Sequence, residues 1–458
     1  MNTFLNQQKL TYVLSHLNQL IDLSEIKQLF YFRSNKKLPN DLKNKIIFTL
    51  SAQNLNFEHI SWVEDIPILF PSKNKQKLYS IDQNNNLIFH HDLLKSAFYL
   101  LSGYQELNPA YRDRFGRFPY ELSIQKKLGI IKKPVVNYYF EFIIKGMEEF
   151  CKIHDLELKR RKPFRPFAFF LSHDVDKIDT YNFYDFIYYL KVLFGLAKKK
   201  IPFSKKIRKV AEYGFNYFFT RKNPNWDFNF LRSIEKKFNF TSTFYFLPKD
   251  LKHQDAYYSF NEKRIQDLFK KLKAEHCEIG IHGTNRSATQ LKFLQSNIAE
   301  LEKAAGVNVS GIRQHRLIFD MNITPNLHEK AGLAYDTSLA FADHEGFRNS
   351  YCLPLKLYNF KEDCPFHTWE IPLLVMDATL FEYRKLKMDE AFNSVQKILN
   401  EVIKFNGVFS LLWHNGFFDE ILHPGIKNFY TDLLNYITTN NGNPLSGYEL
   451  IKLSQNDE

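Results

Sequence analysis

Asp174 and Asp176 stand two residues apart in the stretch FAFFLSHDVDK at 167–177. In an extended chain that spacing turns both carboxylates to one side, with His173 and Val175 on the other. Two acids in one space repel each other unless a cation or a shared proton relieves them, and a metal ion is the simplest relief. The stretch is equally readable as a strand end whose Asp caps a following helix. Other groups able to ligate a metal or move a proton recur downstream at His282, His315, Asp377 and His414, the last followed by Asn415.

These groups share one placement. The sequence predicts strands at 167–171, 241–246, 277–281, 310–313, 369–375 and 408–413, with helices at 261–274, 290–305 and 389–405. The run at 167–171 is apolar on both faces, as a central strand covered by helices must be. Strands alternating with helices are the signature of a parallel α/β fold. Asp174 and Asp176 follow the first strand, His282 follows 277–281, His315 follows 310–313, Asp377 follows 369–375, and His414 follows 408–413. C-terminal strand ends are where β/α barrels build their sites. Histidines placed for surface reasons would not recur at that one location, so the pattern points to a catalytic or metal site.

The chain has 458 residues, comfortable for two domains. Hydrophobic residues make up 44% and aromatics 16%, a globular composition and not a disordered one. Residues 1–160 read as a smaller α+β unit, with helices at 1–20, 91–102 and 135–154, strand-like pieces at 45–50 and 68–70, and a turn-rich loop at 108–120. No catalytic constellation stands out there, and Glu106, Arg112, Asp113 and Arg117 read as structural. Residues 161–458 carry the strand–helix alternation, with an insertion at about 178–222. The net charge is +12, with basic clusters at 159–162, 198–200 and 205–206. They lack a helix-turn-helix, zinc-finger or RNP context, so no nucleic-acid partner is expected. An anionic membrane surface or a phosphate-bearing ligand suits the same charge. Cys151, Cys277, Cys352 and Cys364 form no CxxC pair and read as reduced thiols of a cytoplasmic protein. The N-terminal residues do not read as a signal peptide, and no stretch reaches the roughly 18 uncharged apolar residues of a membrane span.

The ordered set HDVD (173–176), EIGIHG (278–283), GIRQH (311–315), DTSLAFADHEGFR (336–348), IPLLVMDATL (371–380) and LLWHN (411–415) resembles the polysaccharide deacetylase family. These are carbohydrate esterases that include nodulation-type chitooligosaccharide deacetylases. The chain is most similar to a bacterial subgroup with an HDVD first motif and an extra N-terminal domain. The resemblance implies a distorted (β/α) barrel of about seven strands. It also implies hydrolysis of an N- or O-acetyl group on a sugar, assisted by a divalent metal, zinc before others. Carried over, it makes Asp174 the general base, Asp176 and His282 metal ligands, Arg313 the group that orients the base, and His414 the general acid. Asp377 falls, more loosely, where a residue tunes the acid. The residue types suit that chemistry, since a metal polarises the carbonyl and activates water. An imidazole at its ordinary pKa of about 6.5 can protonate a leaving amine, and Arg313 would pair with and fix Asp174.

One departure stands out. The family's second motif carries two histidines four apart, whereas here His282 is followed at that spacing by Arg286. A permanently protonated guanidinium cannot ligate a metal. His315, where the family usually has proline, is the candidate third ligand; the other reading is that it hydrogen-bonds a neighbouring carboxylate. His173 reads as structural and His344 as a loop residue able to touch substrate. Arg286 reads as a binder of an anionic substrate group or as the partner of an Asp. In the insertion, 183–197 and the lysines after it read either as a hairpin packed on its surroundings or as an interfacial element, 181–206, in peripheral contact with anionic lipid. The expected reaction is removal of an acetyl group from an N-acetylated amino sugar, lipid-linked or nucleotide-linked, in surface polysaccharide or glycoconjugate metabolism at the inner face of the membrane. A catalytically silent carbohydrate-binding protein on the same fold, and an amidohydrolase of a small non-sugar amide, stay open.

Overall fold

The computed structural model describes residues 4–34, 38–72, 77–108, 112–162, 164–179, 183–220, 224–251, 255–420 and 423–456. Six short strands come first: β1 (Phe30–Ser34), β2 (Ile46–Leu50), β3 (Ser61–Val63), β4 (Ile66–Ile68), β5 (Tyr79–Ile81) and β6 (Leu87–Phe89). β1, β2 and β6 run parallel in that order, β5 lies antiparallel on β6, and β3 pairs with β4 as a separate hairpin. Helices Gln7–Asn18, Leu93–Leu101 and Val135–Ile153 bury their apolar faces around them. The core of these residues is continuous with that of the rest of the chain. A buried ion pair also crosses between the halves, Arg348 donating from Nε to Glu106 at 2.9 Å.

The larger sheet comprises β7 (Phe167–Val175), β8 (Ser242–Phe246), β9 (Glu278–Gly283), β10 (Gly311–Gln314), β11 (Tyr335–Asp336), β12 (Leu355–Asn359), β13 (Cys364–Glu370), β14 (Val375–Met376), β15 (Val408–Leu412) and β16 (Gly442–Pro444). Its order is β12-β13-β11-β10-β9-β8-β7-β15-β14, with β16 beside β7. Among the described residues only the β12–β13 ladder in it is antiparallel. The sheet curls into a half-barrel, and among the described residues no ladder joins β13 to β14. It counts ten strands, against the about seven that the resemblance implies. The β12 edge, the short β16 and a split run account for the surplus. The strand expected at 369–375 ends as β13 at Glu370 and resumes as β14 at Val375. Pro372 lies in the gap, and proline has no N–H to give to a ladder.

β7 is buried along its whole length, as its apolar run requires. It is longer than the sequence suggests and carries His173 and Asp174 within the ladder. Below them two tyrosines fill the interior: Tyr245 Oη donates to Tyr335 Oη at 3.0 Å, and Tyr335 Oη to Glu278 at 2.9 Å. A Cβ on Gly280 would run into the Tyr245 ring, and one on Gly311 into Tyr335. The glycines of EIGIHG and GIRQH are therefore close-approach positions that let these rings form a floor.

The insertion supplies helices Phe183–Leu193 and Phe203–Phe215, which pack on each other. Lys209 is buried and pairs with Asp419 after β15, while Tyr213 meets Tyr189 with ring centroids 4.5 Å apart. Residues 180–182 and 221–222 of the insertion, 181–182 among them from the segment expected to touch lipid, lie outside the described residues, as do 109–111 of the 108–120 loop. No helix among the described residues is long and apolar enough to cross a membrane.

Candidate active site

Register places the chemistry. Arg313 of β10 pairs with His282 of β9, and Asp174 of β7 with Tyr245 of β8. Arg313, fully buried, stands with its guanidinium 4.9 Å from the centroid of the Tyr245 ring of the floor. Its Nη1 donates to Asp174 Oδ1 at 3.0 Å and to Ser172 Oγ at 2.9 Å, while Nε donates to Thr337 O at 3.0 Å. A planar fork tied at several points leaves Asp174 one orientation.

Two histidines face the second carboxylate. His282 Nδ1 lies 2.7 Å from the Arg313 carbonyl, which can only accept, so Nδ1 carries the proton. Its Nε2 then points at 3.1 Å to Asp176 Oδ1 and 3.6 Å to Asp174 Oδ2. His315 repeats the arrangement, with Nδ1 at 2.6 Å from Asp255 Oδ1 and Nε2 at 3.9 Å from Asp176 Oδ2. His315 thus bonds a neighbouring carboxylate with one nitrogen and faces the site with the other. Burial disfavours the charge of Asp176, yet His282, His315 and His414 hold its carboxyl well below the usual carboxylate range. Burial also opposes a charged His282, and Asp174 and Asp176 nevertheless raise its pKa.

The residue types are those that ligate a metal. Asp176 Oδ1 is buried and has no hydrogen-bond partner among the described residues. Two imidazoles with anchored Nδ1 atoms turn Nε2 toward the same carboxylate, the pattern in which an outer carbonyl or carboxylate orients a ligating histidine. Among the described residues no group of three or more His, Cys, Asp or Glu stands close enough together to hold a metal ion as placed. The convergence is pairwise, each histidine on Asp176.

His414 closes the other side. Its Nδ1 bonds Asp377 Oδ1 at 2.7 Å, its backbone N–H donates to Asp377 Oδ2 at 2.6 Å, and its Nε2 lies 3.9 Å from Asp176 Oδ2. Burial alone would lower its pKa, but Asp377, and after it Asp176 and Asp174, push it up to about 10. The ordinary value expected from the sequence is thus corrected, because three carboxylates face one ring.

A cavity of about 450 Å³ gathers Asp174, Asp176, His282, His315 and His414 on its wall. Arg313 and Asp377 stand behind Asp174 and His414. His173 lies on the opposite face of β7, 2.8 Å from Glu235. His344 stacks on Tyr120 at 3.7 Å and is absent from the lining. Arg286 also lies outside it; its Nε donates to Asp250 at 3.0 Å and its guanidinium covers the Phe293 ring. The position of the family's second histidine is thereby turned toward an Asp.

Sequence reasoning missed part of the wall. Arg117, read as structural, and Phe115 of the same 108–120 loop line the cavity together with Lys177, Arg316 and Tyr383. Arg117 is held by Asp113 at 2.8 Å and reaches the Arg316 carbonyl at 2.9 Å. The signal was the density of Arg and Phe in a turn-rich loop, where binding residues gather. A second cavity of about 430 Å³ shares Lys177, Asn225 and Phe417 with the first and adds Tyr188, Tyr189 and Lys199 of the insertion.

Residues 2–152 match the model of a family of unknown function, DUF7033. No curated protein matches the chain. A structure from Mycobacterium smegmatis, described as a polysaccharide deacetylase, is 16% identical with a TM-score of 0.40, over 64% of this chain and 90% of that one. A CE4 family pseudoenzyme from Bacillus anthracis is 11% identical with a TM-score of 0.30, over 50% and 61%. A structure from Bordetella bronchiseptica, described as a polysaccharide deacetylase involved in O-antigen biosynthesis, is 12% identical with a TM-score of 0.28, over 46% and 84%. Likenesses this distant carry no functional weight, so what the site does has to be read from its own side chains.

Proposed function

We propose that the chain is a metal-dependent hydrolase that removes the acetyl group of an N-acetylated amino sugar. The carrying observation is the convergence on one cavity of an Arg-fixed carboxylate, an Asp–His–His donor set and a carboxylate-backed histidine. Asp176, His282 and His315 would hold the ion, and their oxygen and imidazole donors suit zinc. When bound, it would polarise the acetyl carbonyl and lower the pKa of a water.

Asp174 takes the proton of the attacking water, its other oxygen fixed by Arg313. His414, charged at neutral pH because of Asp377, gives its Nε2 proton to the amine nitrogen as the C–N bond breaks. The free amine leaves, acetic acid departs as acetate with its hydroxyl proton lost to bulk water, and the proton taken by Asp174 is passed on to restore the charged His414. Lys177, Arg117 and Arg316 on the wall suit a phosphate-bearing linkage. They favour a lipid-linked or nucleotide-linked sugar of surface polysaccharide or glycoconjugate metabolism, met on the cytoplasmic side.

Acetate release from N-acetylated amino-sugar oligosaccharides by zinc- or cobalt-loaded protein tests the proposal. Asp174→Asn and His414→Ala should each lower kcat/KM by about 10²–10⁴-fold. Release at the wild-type rate in both variants, or none from metal-loaded wild type on any such sugar, would overturn it.

A further inference from the structure

The insertion leaves a large apolar surface uncovered. Phe194 is 72% exposed, Leu196 79%, Phe203 66%, Ile207 48%, Phe215 59% and Phe219 76%. Phe203, Ile207 and Phe215 stand at multiples of four along helix Phe203–Phe215 and so form one stripe. The opposite face of that helix carries Lys209 and Tyr213, both buried against neighbouring parts of the chain. Phe215 and Phe219 continue the stripe with ring centroids 5.6 Å apart. Single exposed apolar residues are ordinary, whereas a contiguous set marks an interaction surface.

The charge around it selects the partner. Between positions 186 and 211 there are eight basic residues and no acidic one, and seven remain around the stripe once Lys209, buried on Asp419, is set aside. Long lysines flanking an apolar stripe keep their ammonium groups in the headgroup layer while the stripe enters the acyl boundary. A second copy meeting this face would set the same basic residues against themselves, since a twofold contact is self-complementary in position and not in charge. We infer that the insertion docks the protein on an anionic membrane surface through the turn at 194–196 and the outer stripe of helix Phe203–Phe215.

Of the two readings given for 183–197, the interfacial one placed the lipid contact on the first helix, whereas the uncovered face lies on the second. Tyr189 of that helix is buried on Tyr213, and Phe186 packs on Phe218 with ring centroids 5.9 Å apart. The first helix spends its apolar side chains on the second, and the second keeps its own outside. Docking stands independently of the chemistry; its use, bringing lipid-linked sugar to the cavity that Tyr188 and Lys199 help to wall, rests on the proposed function.

Flotation of the full chain with vesicles of phosphatidylcholine alone, or of phosphatidylcholine with phosphatidylglycerol, tests it. Wild type should float with the anionic vesicles and stay behind with the neutral ones. Phe194→Ser/Phe203→Ser/Phe219→Ser should cut the bound fraction at least about tenfold, as should Lys198→Glu/Lys205→Glu/Lys206→Glu. Phe194, Lys198, Phe203 and Phe219 are exposed and Lys205 and Lys206 half-buried, and unchanged circular dichroism checks that each variant folds. No flotation with anionic vesicles, or flotation untouched by the apolar variant, overturns the inference. A wild-type dimer that the apolar variant splits, without vesicle binding, also overturns it and gives the face to a second copy. Acetate release from a soluble sugar by the same preparations separates the two claims. Release without flotation sinks docking alone, and flotation without release leaves docking standing and sinks the proposed chemistry.

Discussion

Asp255 accepts from His315 Nδ1 at 2.6 Å and so decides which nitrogen of that ring faces the site. Asp255 is itself buried and takes the Asn285 N–H at 3.2 Å on its other oxygen, so the ring stands on a fixed base. If His315 is the third ligand, His315→Ala should weaken zinc binding, and Asp255→Asn should do so by about 10–100-fold through loss of orientation. Calorimetric titration with zinc reads both. Unchanged affinity in His315→Ala would place the third ligand elsewhere.

Arg313 and Asp174 are both buried, and removing the cation strands a carboxylate in the interior. Arg313→Met should cost about 3–5 kcal/mol in denaturant unfolding. Adding Asp174→Asn to it should recover part of that loss, because no uncompensated charge then remains. A loss under about 1 kcal/mol, the range of exposed pairs, would mean that water reaches Asp174 in the folded state.

His414 makes a pH prediction with a definite sign. Its value of about 10 in the folded chain lies above the about 6.5 of a free imidazole. The folded state therefore holds this proton more tightly than the unfolded one. The resulting stability is complete below about pH 6.5 and is lost as pH rises through about 10. As the general acid, His414 should set the alkaline limb of the kcat/KM profile. Asp377→Asn removes the strongest of the attractions that raise it and should move that limb to lower pH. An ion on Asp176 acts in the same direction, so variant and wild type are to be compared at equal metal loading. A limb that stays in place would detach the acid from His414.

Arg117 reaches the cavity from the N-terminal half. If it binds substrate away from the reacting carbonyl, Arg117→Ala should raise KM and leave kcat nearly unchanged. Steady-state kinetics on a phosphate-linked sugar would show it. Equal losses in kcat and kcat/KM would instead mean that the loop positions the catalytic groups.

The large sheet was legible because its strands are dense apolar runs, and the polar residues at their ends follow a period that local sequence carries. The pairing of Asp174 with Asp176 on one face, and of His173 on the other, needs only strand alternation. Pro372 stood in the sequence as a reason against one strand over 369–375, and the strand pattern was followed instead. What stayed hidden depends on residues far apart in the chain. Arg117 meets Arg316 across 199 positions, and the approach of Asp377 to His414, 37 positions away, was expected only through the family resemblance. No local pattern encodes either approach. The insertion stayed open between two readings for a related reason, since a count of apolar residues does not say which of two packed helices covers the other.

Elemental analysis of the purified protein beside Asp176→Ala tests the central claim most directly. Near-stoichiometric zinc or another divalent ion in the wild type, lost in the variant, is the predicted result. Absence of metal from both, even after exposure to zinc, cobalt and nickel, would contradict a metal-dependent hydrolase built on Asp176, His282 and His315.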